Sequence, residues 1–230
     1  MKTIGLIGGM SWESTAIYYR LLNQAIARKL GGLHSAQLLL FSVDFHDIEI
    51  LQQSGAWDEA GSRLRGAAQA LESGGAEFLV LCTNTMHKVA DAITAGVSIP
   101  LLHIGDATAA AIRQSGAQRV GLLGTRFTMD QDFYRSRLEA HGLSVVLPTQ
   151  EDRKLVNRVI YDELCLGEIR DESRDEYRRI ITKMVESGAE GIILGCTEIT
   201  MLVRPDDSPV RTFDTTKIHA EAAAEYALES

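Results

Sequence analysis

This 230-residue chain is sparing with cysteine: Cys82, Cys165 and Cys196 are an odd three with no Cys-x-x-Cys pair. Neither a disulfide framework nor a zinc site is expected from that usage, and a reducing cytoplasm fits it. No apolar run is long enough to span a bilayer. The start, Met1 to Gly9, lacks the apolar core and cleavage site of a secretion leader and reads as a first strand. There is no basic run, and the formal charge is -8. That balance argues against nucleic acid as a partner and means that an acidic ligand must be attracted locally, not by the overall field. No low-complexity stretch or linker divides the chain.

What is present is an alternation of strand and helix. With 45% hydrophobic residues, the chain can bury a substantial core as one domain or two small ones. Residues 3–7 are a continuous apolar run, as a parallel strand buried on both faces requires. A turn at Gly8–Trp12 and a helix from Glu13 to Leu30 follow, closed by Gly31-Gly32. Strands are expected at 37–43, 78–82 and 99–104. A polar loop with at most a short helix is expected at 44–57, and helices at 58–73 and 86–95. The pattern then restarts, with a strand and turn at 119–126, strands at 143–147, 190–194 and 211–213 and a last helix capped by Asp214.

The restart is a repeat. Gly5-Leu-Ile-Gly-Gly-Met10 matches Gly121-Leu-Leu-Gly-Thr-Arg126. The run around Ala76-Glu77 matches that around Ala189-Glu190, and at constant offset Thr83 falls opposite Cys196, Asn84 opposite Thr197, Thr85 opposite Glu198. The expected fold is therefore α/β, with two doubly wound halves and parallel sheets. The first half is expected to hold 1–103 plus 212–230, the second 104–211.

In such folds ligands bind beyond the carboxyl ends of the strands. Four polar turns fall there, at 8–12, 83–85, 124–126 and 196–198, and their amides and helix starts suit a carboxylate. Ordinary capping by Asn84, Thr85 and Thr197 explains those residues about equally well. Gly5-Leu-Ile-Gly-Gly is a weak dinucleotide signal, because the third glycine of that motif is missing and no acidic residue ends the second strand. Cys196, first after a buried strand and beside a helix start, is expected to have a lowered pKa. Cys82 and Cys165 read as packing, and His87 and His103 as structural.

The combination Gly-Leu-Ile-Gly-Gly-Met-Ser-Trp-Glu-Ser-Thr, Asn84-Thr85 with His87, and Gly-Cys196-Thr-Glu-Ile resembles the cofactor-independent aspartate/glutamate racemases over essentially the whole chain. The resemblance implies two α/β domains related by a pseudo-twofold axis, an active site in the interdomain cleft, no cofactor or metal, and a homodimer. It implies a small amino-acid substrate, L-aspartate or L-glutamate, held between two catalytic residues. The family has cysteine before the first Asn-Thr, whereas this chain has Thr83, so it is similar to the L-specific type. Cys196 is then expected to deprotonate the L enantiomer, with Thr83 acting on the opposite face. Met10, Gln52, Asn84, Thr85, Thr125, Thr197 and Glu198 are the expected substrate contacts. The family's basic residue after the second strand is absent here, which leaves Gln52 for the side-chain carboxylate and Arg126 or Lys154 as stand-ins for a second basic anchor. Alternatives are a same-scaffold enzyme with one essential cysteine, such as a hydantoin racemase, maleate isomerase or decarboxylase-like enzyme, or an amino-acid-binding protein without turnover.

Overall fold

In the computed structural model, which describes residues 1–229, the chain divides into two compact units. The first comprises Met1–Ile104 and the chain from His219 onward; the second is Gly105–Ile218. Among the described residues no helix is long and apolar enough to cross a membrane.

The first unit holds strands β1 (Ile4–Gly8), β2 (Leu38–Ser42), β3 (Phe78–Leu81) and β4 (Leu101–Leu102), ordered β2-β1-β3-β4 and all parallel. Helices α1 (Trp12–Leu30) and α11 (Thr215–Leu228) supply one covering layer, where Tyr18, Leu22, Ile26, Ala220 and Ala224 pack on Ile4, Leu6, Phe78 and Val80. Helices α2 (Phe45–Ser54) and α3 (Trp57–Ser73) supply the other, with Leu51, Leu64 and Leu71 against Ile7, Leu79 and Leu81. A 3-10 turn at Thr85–Val89 and α4 (Ala90–Thr94) complete the unit.

The second unit repeats the order as β6-β5-β7-β8, with β5 (Arg119–Gly124), β6 (Ser144–Val146), β7 (Gly191–Gly195) and β8 (Arg211–Asp214). Helices α8 (Gln150–Asp162) and α9 (Asp171–Glu186) cover Leu123, Ile192 and Leu194. The opposite side chains of β5 and β7, among them Leu122 and Ile193, are buried as well. Helices α5 (Ile104–Ser115), α6 (Arg126–Asp130), α7 (Asp132–Ala140) and α10 (Ile199–Leu202) fill the remaining connections.

The two sheets share a register. Ile4 lies beside Phe78 as Val120 lies beside Gly191, and Ile7 beside Leu81 as Leu123 beside Leu194. These are the partners that the sequence repeat sets opposite each other. One device is repeated with the register. Glu77 Oε2 accepts from the Thr3 N–H at 2.6 Å, while Glu190 Oε2 accepts from Gln118 and Arg119 N–H at 2.6 and 3.1 Å. The same two positions exchange a backbone bond, Glu77 N–H to Thr3 O and Glu190 N–H to Arg119 O. Each carboxylate thus pins the entry of its central strand pair.

Three expectations need correction. The polar stretch at 44–57, expected as a loop with room for a short helix, is mostly the ten-residue α2, because Asp44 caps it by accepting from the His46 N–H and Ile48 and Leu51 bury one face. The strand expected at 99–104 is only Leu101–Leu102, since α5 already begins at Ile104. The return to the first unit comes at His219, not at 212, because Arg211–Asp214 pairs with β7 and belongs to the second sheet.

Candidate functional site

The first unit presents two turns beyond its central strands. Gly9, after β1, has φ +95°, and a Cβ there would stand 2.2 Å from the Val43 carbonyl oxygen, so only glycine fits. Its N–H donates to Thr15 Oγ1 at 2.8 Å, and the Thr15 hydroxyl donates in turn to Ser11 O at 2.8 Å. Ser11 caps α1 by accepting from the Ser14 N–H, an interaction worth about 1 kcal/mol. The turn so fixed sets Met10, buried, against the apolar layer that includes Ile7, Leu81 and Met86.

Thr83 follows β3 and is half-buried, with Asn84 and Thr85 buried behind it. Its carbonyl lies 2.7 Å from His87 Nδ1, and His87 Nε2 accepts from the Ile104 N–H at 3.2 Å. A carbonyl needs a donor and an N–H needs an acceptor, so the His87 ring is the neutral Nδ1–H tautomer. It braces the turn and has no lone pair to spare for acid–base work. Gln52 projects from α2, buried, and its Nε2–H donates to Met86 Sδ at 2.9 Å.

A second histidine supports this unit from behind. His219 is fully buried, its Nε2–H donating to Leu102 O at 2.8 Å and its Nδ1 accepting from the Tyr18 hydroxyl at 2.8 Å. Burial, reinforced by nearby His103 and opposed by the Leu102 carbonyl, lowers its pKa to about 4. The ring of His87 lies 4.5 Å from that of His103 and 5.8 Å from that of His219.

The second unit carries the equivalent turns. Thr125 caps α6, accepting from the Thr128 N–H at 3.4 Å. Arg126 is exposed, with its guanidinium 4.8 Å from the Phe127 ring centre, and Lys154 is exposed on α8. Cys196 follows β7 as Thr83 follows β3, and its thiol donates to Glu198 Oε2 at 2.9 Å. The Thr197 and Thr216 hydroxyls are hydrogen-bonded at 2.9 Å. Tyr177, buried beneath, donates its hydroxyl to Val156 O at 3.1 Å. Its phenol is pushed up first by burial, and the neighbouring Cys196 and Glu163 add to the rise.

The expected lowering of the Cys196 pKa is overturned. The residue keeps some surface, yet its sulfur is crowded enough that burial is the first cause pushing the thiol well above its ordinary range; the Glu198 carboxylate is the second. The helix that should have helped, α10, is only four residues long and does not begin until Ile199. Cys196 therefore rests as a thiol with a proton acceptor already in contact. Cys165 also departs from expectation: it is exposed in a 3-10 turn at Leu164–Leu166. Cys82 is fully buried among Leu6, Val80 and α1, and burial raises its thiol pKa, as suits a packing residue.

Thr216 and Tyr177 escape the sequence reading, and Thr15 enters it only as a residue of the first helical turn. Thr15 stands four residues after the Ser11 cap, and Thr216 two after the Asp214 cap, spacings that mark side chains folded back on a turn. Nothing in the sequence marks Tyr177, whose placement depends on how α9 packs on α8. Among the described residues, no three His, Cys, Asp or Glu side chains converge as a metal site.

Residues 7–223 match the family model described as Asp/Glu/Hydantoin racemase. A crystal structure from Yersinia pestis, described as that of a candidate Asp/Glu racemase, is 60% identical, with 100% of each chain covered and a TM-score of 0.95. An aspartate racemase homologue from Pyrococcus horikoshii is 37% identical, again over 100% of each chain, with a TM-score of 0.86. The broad specificity amino-acid racemase RacX of Bacillus subtilis is 24% identical over 72% of this chain and 71% of its own length.

Proposed function

The chain belongs to the Asp/Glu/hydantoin racemase family, a family of isomerases, and on that premise we propose that it racemises aspartate, glutamate or both without a cofactor, working from the L enantiomer. Cys196 is the base. As Glu198 takes the thiol proton, the sulfur removes the α-hydrogen from L substrate and leaves a planar carbanion. Thr83 returns a proton to the opposite face from its hydroxyl, which solvent reprotonates; the proton on Glu198 passes to solvent. The sum is inversion with one α-hydrogen exchanged.

The observation that carries this reading is the 2.9 Å contact between the Cys196 thiol and a carboxylate, at the repeat position equivalent to Thr83. A thiol pushed up in pKa needs such an acceptor to become a base. A threonine hydroxyl is far too weakly acidic to play the same part near neutral pH, so the D enantiomer is a poor starting point. Amides of the turns at Asn84–Thr85 and Thr197–Glu198 receive the α-carboxylate, and Met10 and Thr125 line the substrate. Gln52 takes the side-chain carboxylate with its second Nε2–H, the first being held by Met86. The protein acts in the cytoplasm as a homodimer.

The test is α-hydrogen exchange in heavy water from each enantiomer separately, without added pyridoxal phosphate. Exchange from L-aspartate or L-glutamate should far exceed that from D, and Cys196→Ala should lower it by about 10²–10⁴-fold. Equal rates from the two enantiomers remove the asymmetry; no exchange from either acid removes the substrate assignment. A same-scaffold isomerase with one essential cysteine is the second reading, favoured by the lack of any lysine or arginine in residues 44–56.

A further inference from the structure

The first sheet ends on an outer strand that is packed on the core at Leu38 and Leu39 and open beyond them. Leu38–Ser42 is the outer strand, and its last three residues, Leu40, Phe41 and Ser42, are exposed although the strand reads Leu-Leu-Leu-Phe-Ser. Leu40 is 46% and Phe41 40% exposed. The Val43 N–H bonds to Gly8 O and the Gln37 carbonyl accepts from Ile4 N–H, so the odd-numbered residues between them face β1. The N–H and C=O groups of Leu38, Leu40 and Ser42 therefore point outward along the open edge.

Exposed edges are ordinarily blunted by charge, by proline or by brevity. The other three edges here follow that rule. β4 has two residues, β6 has three with Pro148 close behind, and β8 begins with Arg211 and ends with Asp214. From Leu33 to Val43, by contrast, there is no Asp, Glu, Lys, Arg or Pro. The apolar surface extends onto α1. Leu40 Cδ1 and the Thr15 methyl both crowd the position of a Cβ on Gly8, which puts Leu40 on the α1 side of the sheet. There α1 presents Trp12, 68% exposed, with exposed Ala16 and Tyr19 at helical spacing along one stripe.

We propose that this edge pairs antiparallel with the same edge of a second copy, about a twofold axis at Leu40. The outward-facing groups fix the register: Leu40 opposite Leu40 of the other copy, Leu38 opposite Ser42, and Ser42 opposite Leu38. Each sheet then continues into the other as eight strands. The stripe Trp12–Ala16–Tyr19 flanks the seam on one face and Phe41 on the other. A second copy fits better than a foreign strand because the seam is self-complementary. Two chains of formal charge -8 repel at most other surfaces, while this one brings no like charges together. The proposal rests on the homodimer reading and is independent of the reaction.

Sedimentation analysis of the whole chain tests it, with α-hydrogen exchange from the L enantiomer run on the same samples. The parent chain and Leu166→Lys, a control on an exposed leucine of the second unit, should both run as dimers. Leu40→Lys should run at half that mass with an unchanged far-UV spectrum. In a Cys165→Ser background, Leu40→Cys should form a covalent dimer on mild oxidation, since antiparallel hydrogen-bonded partners stand about 5.5 Å apart at Cα. Ser42→Cys in the same background should not, because its copies would lie about 13 Å apart along the strand. A dimer that survives Leu40→Lys, or equal cross-linking at 40 and 42, overturns the edge assignment and leaves the homodimer standing. A monomeric parent chain overturns both, and the exchange assay reports on the chemistry in either case.

Discussion

Thr83 and Cys196 hold the same place in two copies of one design, and the surroundings of each turn differ as much as the residues themselves. The Thr83 carbonyl is braced by an uncharged imidazole, and residue 85, the repeat counterpart of Glu198, is a threonine. Around Cys196 there is a carboxylate in direct contact and a tyrosine beneath whose own ionisation is suppressed. Even the brace differs, since the Thr200 hydroxyl, at the position equivalent to His87, bonds to Thr197 O at 2.7 Å. A duplicated scaffold has thus kept its strands and diverged at their ends. On the proposed reaction the base needs somewhere to send its proton, and the turn at Cys196 sets a carboxylate in contact with the thiol.

The comparison can be broken most directly by Thr83→Cys. It restores a thiol to that turn but brings no carboxylate with it. Exchange from the D enantiomer should rise by about tenfold or more, yet stay below exchange from L, because the counterpart of Glu198 in this turn is Thr85. If D and L become equal, Glu198 is not what distinguishes the turns.

Glu198→Gln sharpens the same point from the other side. The carboxylate both receives the thiol proton and raises the thiol pKa. In the parent enzyme, kcat/KM from L should therefore climb with pH into the alkaline range, where thiolate forms. Without the carboxylate that limb should move to lower pH while the rate near pH 7 falls about tenfold. An unmoved limb would show that Glu198 does not bear on the titration.

Acid should separate the two units. His219 is protonated in the unfolded chain near the ordinary imidazole value of 6.5 but only at about 4 when folded. Between those values the unfolded state binds the extra proton, so stability falls as pH drops from 6.5 to 4, by about 3 kcal/mol in all, and then levels. The second unit leans on carboxylates instead. Burial works against ionisation of Asp152 and Asp207, but Arg179 and Thr149 for the first, and the Arg204 N–H and Arg178 for the second, hold both below the ordinary 3.8. Their contribution is present above that value and is lost only as pH falls through the lower, folded one. Amide exchange across a pH series should show the first unit loosening before the second, and His219→Phe should flatten the first response.

The smallest effect should come from Glu77→Gln and Glu190→Gln. Each keeps the acceptor and removes the charge from equivalent clamps, so thermal midpoints should drop slightly and by similar amounts. Unequal drops would mean that the two clamps have diverged as the turns have.

Much of this is legible in the repeat. Matching Glu77 with Glu190 was enough to place Thr83 opposite Cys196, and the strand register follows the same alignment. Composition reads strand interiors well because parallel strands buried on both faces are apolar throughout. What it reads poorly are quantities decided by several segments at once. Helix α2 looked like a loop because its polar face is long and only Ile48, Leu51 and Gln52 are buried. The Cys196 pKa was read from one neighbour, a helix start, when burial and a carboxylate two residues away outweigh it. The apolar neighbours of Cys165 suggest packing, but a 3-10 turn puts it outside.

The imidazole of His87 joins two distant points of the chain, the carbonyl of residue 83 and the amide of residue 104, where the polypeptide leaves the first unit. It is a rigid spacer of fixed length, so the exit of the chain and the outlook of the threonine form a single mechanical part. If Thr83 returns the proton as proposed, shortening that spacer, as in His87→Asn, should slow that step.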